Sequence, residues 1–381
     1  MVNPNDDYFI LCEDDHQFTE CYKKELLFEC INQANDLNAD ILSGGVSGVS
    51  HFVQVRPDIF WMGNFTGLQF TIIYRRFFKI ITNAVFADTD IADVKISKLS
   101  ERKFLIHPFI STQKEFGYSD VTPLNNNQGR VDKFFDWASH TIKYVNDVSI
   151  FYKHQKKEIF TVHDAINYEN IYIPTYIVNL PGRTDHLAYI TKQFEGKAEF
   201  AVKVIDAIEH KKSNLGRWLT IRKIVEQAIK NEDNMIIICD DDHEFTNHYS
   251  KHDFIENIIE ANMLGAGILI GGTDRFGNVT LVTENKFWID SYFNAPFMVI
   301  YESLFTSILD APYDEKTTAN GVFSKITSNK LLVFPFISVR RVLEESNKAN
   351  TADHIDKLFQ STSASIEMMI KVTNMYPYDH S

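Results

Sequence analysis

The chain has 381 residues, of which 44% are hydrophobic and 23% charged, and its net charge is −13. These proportions exclude a disordered tail, a collagen-like repeat and a small disulfide scaffold, and the length suits two to three domains of about 150 residues each. The acidic balance, with no basic stripe, excludes a nucleic-acid binder.

At the start, MVNPNDDYF lacks the basic and apolar regions of a signal peptide. The longest apolar runs, such as Met235 to Cys239 and Ala266 to Ile270, fall short of the roughly 20 residues that span a bilayer. Cys12, Cys21, Cys30 and Cys239 show no paired metal spacing and read as reduced thiols. A soluble, cytoplasmic protein is expected. The 30 Phe and 16 Tyr supply core and a minority of pocket positions.

Ile10 to Thr19, ILCEDDHQFT, recurs at Ile237 to Thr246 as IICDDDHEFT. The spacing holds without a gap over about 100 residues, far beyond a solenoid unit. Gly44-Gly45 answers to Gly271-Gly272, Phe60-Trp61 to Phe287-Trp288, and Pro108 to Ser111 to Pro335 to Ser338. After a short slip, Val131 to Phe135 answers to Ile355 to Phe359. This pattern predicts a duplicated domain. Pro174 to Met235 has no counterpart in the first copy, which therefore lacks opening strands. Residues 1–150 are taken as the truncated copy, 151–172, with the charged run Lys153 to Glu158, as a linker, and 173–381 as the complete copy.

In the complete copy, Thr175 to Leu180 reads as a buried strand ended by Pro181-Gly182. Helices are expected over Thr184 to Phe194, Leu215 to Lys230 and about His252 to Asn262. Strands are expected over Phe200 to Ile208, Met235 to Cys239 and the run GILIGG. Met235 to Cys239 is apolar throughout, as in a parallel strand covered on both faces. The alternation gives an α/β class.

Asp240-Asp241-Asp242 follows that strand. Residues two apart on an extended chain share a face, so Asp240 and Asp242 are expected to converge on a hard cation while Asp241 points elsewhere. His16 and His243 stand where they can ligate a metal, position a phosphate or bond locally; His243 is grouped with Asp240 and Asp242 as a metal ligand. Gly271 and Gly272 either admit a ligand close to the backbone or form a tight strand exit. The Phe-Trp pairs read as core before sugar platform.

The opening YIVNLPGRTDH (Tyr176 to His186), followed by a strand ending in CDDDH, resembles glycosyltransferase family 25, whose opening motif is N-L-x-x-R and whose acidic motif is D-x-D or E-x-D. YSDVT (Tyr118 to Thr122) resembles the family's late S-D-I element. The resemblance covers most of the second half and, without its opening strand, the first. It implies a GT-A, Rossmann-like fold and a hexosyltransferase of cell-surface polysaccharide biosynthesis. It further implies a UDP-sugar or similar donor with Mn²⁺ or Mg²⁺, and a glycan, lipid-linked or protein acceptor. The nucleotide sugar would meet Asn179, Arg183, Asp240, Asp241, Gly271 and Gly272. A carboxylate base for the acceptor hydroxyl would come from Asp93 or Asp120, with Asp290 and Asp314 weaker. The sequence departs from the family at His186, at Thr220-Ile221 in place of a Ser-His pair, and at Asn320, which stands where the first copy has Asp93. A non-catalytic nucleotide-sugar-binding descendant and an unrelated metal phosphohydrolase are the alternatives. The uncovered edge of the first copy is expected to dock on the second half or on another chain.

Overall fold

The computed structural model describes residues 3, 5–116, 129–159, 171–313, 316–341 and 349–378. It is a mixed α/β protein of two units, one of Met1–Val148 with Met368–Ser381, the other of Ser149–Glu367.

The first unit begins with β1 (Tyr8–Cys12), β2 (His16–Phe18), α1 (Lys24–Asp36), β3 (Ile41–Ser43), β4 (Gly48–Val49), β5 (Phe52–Arg56) and β6 (Ile59–Met62). It continues through β7 (Phe65–Thr66), β8 (Phe70–Tyr74), α2 (Arg75–Asn83), α3 (Ala92–Lys98), β9 (Lys103–Ile106), β10 (Ser111–Gln113) and the start of α4 (Arg130–Ile159). Its main sheet runs β1-β8-β3-β9-β6-β5, with β3 and β9 parallel and the other pairs antiparallel. The core beneath α1 joins Leu42, Ile72 and Phe104 to Val372 from the far end of the chain.

The second unit holds β11 (Ile173–Asn179), α5 (Thr184–Phe194), β12 (Phe200–Asp206), α6 (Ser213–Lys230), β13 (Met235–Asp240), β14 (His243–Phe245) and α7 (Lys251–Met263). Then come β15 (Ile268–Ile270), β16 (Val279–Thr283), β17 (Lys286–Ile289), β18 (Phe297–Tyr301), α8 (Phe305–Asp310), α9 (Ala319–Ile326), β19 (Lys330–Val333), β20 (Ser338–Arg340) and most of α10 (Ala349–Met375). The sheet order is β12-β11-β13-β18-β15-β19-β17-β16. Apart from β11 and β12, this is the order of the first unit with the same strand directions and the same register. Tyr8 faces Tyr74 as Met235 faces Tyr301, and Ile41 faces Lys103 as Ile268 faces Lys330.

The predicted elements of the second unit follow their sequence signals. α5 and α6 bury one face each, through Ile190 and Phe194 and through Trp218, Ile221, Val225 and Ala228. α7 is capped by Ser250, whose hydroxyl accepts from the Asp253 N–H at 3.1 Å. β13 lies between β11 and β18, and Ile237 is fully buried. In the first unit β1 is the sheet edge, and Ile10 and Leu11 stay 43% and 37% exposed.

Two boundaries differ from the sequence reading. α4 runs through the charged stretch assigned to a linker as far as Ile159, because Lys, Glu and Gln are good helix formers. Residues 160–170 lie outside the described residues. The last turns of α10 belong to the first unit: the Tyr376 ring sits 5.5 Å from Phe104, and its hydroxyl donates to the Leu37 carbonyl at 3.3 Å.

Candidate functional site

The carboxyl ends of β11, β12 and β13 and the first turn of α6 surround a cavity of about 700 Å³. Such strand ends are where open α/β sheets take ligands. Gly182, at φ +87°, makes the turn after β11 that brings Arg183 to the start of α5. Gly216 lets α6 close on β12's exit, since a Cβ there would strike the Ile208 carbonyl. Thr220 secures the contact: its hydroxyl accepts from the Ile208 N–H and donates to the Gly216 carbonyl, both at 2.8 Å. That docking carries Arg217 to the cavity.

Each acid of the triplet has its own guanidinium. Asp240 pairs with Arg217 and Asp242 with Arg340; Asp241 lies 3.4 Å from Arg183 and 3.6 Å from the His186 ring. Burial, then the Asp240 charge, pushes the Asp242 carboxyl up to about 6 against the opposing pull of Arg340. All three acids line the cavity. The expectation that Asp241 points elsewhere is corrected, because β13 ends at Asp240 and the next two residues form a turn, where alternation no longer holds. Sequence reasoning missed Arg217 and Arg340. The available signal for Arg340 is Gln113, its counterpart in the first copy.

The donor set fits a hard cation only in part. Asp242 Oδ1 is buried without a partner, and Asp240 and Asp242 supply the carboxylate oxygens that Mg²⁺ or Mn²⁺ takes beside phosphate. Among the described residues, the group of three ligand atoms close enough for an ion is the surface set His252, Asp253 and Glu256, not this triplet. His243 is not brought to the cavity. Its ring is buried, stacked 5.0 Å from Phe297 and edge-on to Phe245 at 4.3 Å, and its Nδ1 lies 2.8 Å from the Ser338 hydroxyl. Burial, with help from the Lys197 charge, lowers its pKa to about 3, so it is neutral.

The remaining assignments scatter. Arg183 lines the cavity, while Asn179 is buried beside it and donates to the Leu180 carbonyl at 3.0 Å. Gly271 and Gly272 approach protein rather than ligand: a Cβ on Gly272 would strike the Ser338 carbonyl. Asp290 closes the β16–β17 hairpin, accepting from the Asn278 N–H at 2.8 Å and from Ser291 at 2.8 Å. Asp93 belongs to the first unit and accepts from the Gly67 N–H at 2.9 Å. Asp120, Asp314 and the YSDVT segment fall outside the described residues. In the first unit, Glu13 and Asp15 share Gln113, at 3.2 Å each, in place of an arginine.

No family model and no curated protein matches the chain. Among solved structures, a glycosyltransferase involved in the glycosylation of the major capsid of PBCV-1 matches with 14% identity and TM-score 0.32, over 49% of this chain and 98% of that one. A197 from STIV matches at 10% and 0.30, over 46% and 87%. Apo-UDP-glucose pyrophosphorylase matches at 9% and 0.30, over 51% and 81%. At these TM-scores the likenesses carry no argument on their own. The chain is a mixed α/β protein whose weak structural neighbours include a glycosyltransferase and a nucleotide-sugar enzyme.

Proposed function

We propose that the second unit binds a nucleotide-diphosphate sugar and transfers the sugar to a hydroxyl acceptor. The observation that carries this reading is the meeting of Arg183, Arg217 and Arg340 with Asp240, Asp241 and Asp242 in one cavity at the strand ends. Guanidinium forks suit diphosphate oxygens, and the first turn of α6 adds a helix N-terminus to the same wall. Four cations and four carboxylates line the cavity, so a bare diphosphate gains little net attraction there. Asp240 and Asp242 would hold Mn²⁺ or Mg²⁺, which neutralises charge on the leaving diphosphate when bound. The protein's own part is to fix the diphosphate with Arg183, Arg217 and Arg340 and to seat the nucleotide against Leu180 and Ile208.

The family 25 resemblance supports the same reading, as does the sheet of the second unit, parallel where β11, β12 and β13 deliver the cavity. We also infer that the two units are copies, from the strand-for-strand register and the repeated sequence. A nucleotide site is expected in the second unit, where β11, β12 and α6 deliver the cavity. On this reading the protein carries out a nucleotide-sugar-fed step of glycan assembly.

The non-catalytic alternative has its own support: each acid already has a guanidinium, and Asp290 is held in hydrogen bonds away from the cavity. Calorimetry of UDP with and without Mn²⁺ on wild type and Asp242→Asn tests the site. Equal affinity in every arm would overturn it. Sugar release from a UDP-sugar panel with Mn²⁺ separates an enzyme from a binding protein.

A further inference from the structure

A second cavity, of about 330 Å³, shares Asn214, Arg217, Asp240 and Arg340 with the first. Its remaining wall carries Arg275 and Phe293. The Arg275 guanidinium lies 4.1 Å from the centre of the Phe293 ring, which is 44% exposed. The backbone holds this pair in place. The Phe293 N–H donates to the Arg275 carbonyl at 3.0 Å, and Asn320 donates from Nδ2 to the Phe293 carbonyl. Next to them, Asp274 accepts from the Asn294 N–H at 3.2 Å and from its side chain.

The charge is one-sided. Three guanidinium groups line this cavity against one carboxylate, in a chain whose net charge is −13. Arg217 and Arg340 have acidic partners. Arg275 makes no ion pair among the described residues, and its cation–π contact with an exposed ring is weak. An exposed phenyl ring under an unpaired guanidinium adds little to the fold.

The first unit shows that the fold does not need them. The pairing of Phe276 with Tyr292 is met there by β4 on β7, where Gly48 faces Thr66. At the constant spacing of the repeat, Gly48, Thr66 and Gln113 stand where Arg275, Phe293 and Arg340 stand. The same backbone therefore forms without cation or ring.

We propose that the second cavity binds a pyranose sugar bearing an anionic group, a carboxylate or a phosphate. Phe293 meets the apolar C–H face of the ring, Arg275 takes the anion, and Asn320, whose Oδ1 has no partner, is left to bond a hydroxyl. The inference rests on the nucleotide-sugar reading of the first cavity, and the anionic sugar is then the acceptor.

The test uses the full chain and four probes, the sugars glucuronate, glucose 6-phosphate and glucose and inorganic phosphate, with affinities from ligand-observed NMR and UDP titrated in parallel with Mn²⁺. Wild type should prefer at least one anionic sugar over glucose by about tenfold, the worth of a charge-assisted hydrogen bond. The preferred anion identifies carboxylate or phosphate. Arg275→Gln should erase the preference, and Phe293→Thr should weaken all three sugars, while UDP affinity stays within about twofold in both. Equal binding of the three sugars to wild type would overturn the proposal. So would an unchanged preference in Arg275→Gln, or inorganic phosphate binding as tightly as glucose 6-phosphate and indifferent to Phe293→Thr. Failure of UDP to bind wild type, with the anionic preference intact, would sink the donor-site reading and leave this subsite standing.

Discussion

His243 and Ser338 are joined side chain to side chain at 2.8 Å inside the second unit, and His16 and Ser111 repeat the bond at 2.9 Å in the first. The His243 pKa lies at about 3, below the ordinary value near 6.5 that the unfolded chain shows. Stability from this group is therefore complete above pH ~6.5 and is lost as pH falls, because the unfolded state takes up a proton that the folded state refuses. Denaturant titrations should show stability of the second unit falling by up to about 1.4 kcal/mol per pH unit between ~6.5 and 3, beyond the slope set by carboxylates. His243→Gln should lower stability at pH 8 and flatten that slope. A variant with an unchanged slope would refute the assignment.

Gly272→Ala should destabilise the second unit by about 2–4 kcal/mol, because the added methyl must displace the Ser338 backbone. Thermal melting checks this. A variant that melts like wild type but loses UDP would return Gly272 to the ligand-binding role that the sequence first suggested.

Arg340→Gln imports the first unit's Gln113 into the cavity. It removes a guanidinium from Asp242 and from the diphosphate, so UDP affinity in Mn²⁺ should fall about tenfold or more. Calorimetry on the variant reads this directly, and an affinity equal to wild type would remove Arg340 from the site.

The first unit has an open edge. Among the described residues, Ile10 and Leu11 of β1 face no further strand, and Phe18 is also exposed. We expect concentration-dependent self-association in sedimentation velocity, suppressed by Ile10→Lys, since a charge on an edge strand blocks pairing. Monomer at all concentrations for both proteins would exclude this edge as a contact.

A chain stopped at Glu367 should weaken the first unit although the cut is distant in sequence, because Val372 and Tyr376 belong to its core. Loss of Val372 and the ring of Tyr376 should cost about 3–5 kcal/mol. The nucleotide affinity of the second unit should hold. Differential scanning calorimetry with and without UDP separates the two effects.

The regular elements were legible because their signals are local. α5 spans Thr184–Phe194 as the periodicity indicates, and the apolar run Met235 to Cys239 forms the central strand β13. The acidic triplet and Arg183 were legible as a candidate group, and they line one cavity. Their partners were not, since Arg217 and Arg340 reach Asp240 and Asp242 from 23 and 98 residues away, beyond any periodic signal. The repeated residues misled in the opposite direction. His243 and Gly272 looked chemical because they recur, yet they recur, together with Thr246, as one structural clasp. His243 bonds Ser338, Gly272 admits the Ser338 carbonyl, and Thr246 donates to the Phe336 carbonyl at 2.6 Å. Recurrence marks scaffold at these three positions, whereas the candidate site joins recurring acids, Asp241 and Asp242, to arginines absent from the first copy.

The placement of Met368–Ser381 in the first unit also sets an order of events on the ribosome. When Met1–Val148 has left the exit tunnel, Leu42 and Phe104 still lack Val372 and Tyr376. At about 5–20 residues per second, the missing helix turns follow on the order of ten seconds or more later. The first unit is thus completed only after the second has been made, and until then the apolar surface that Val372 and Tyr376 cover stays open.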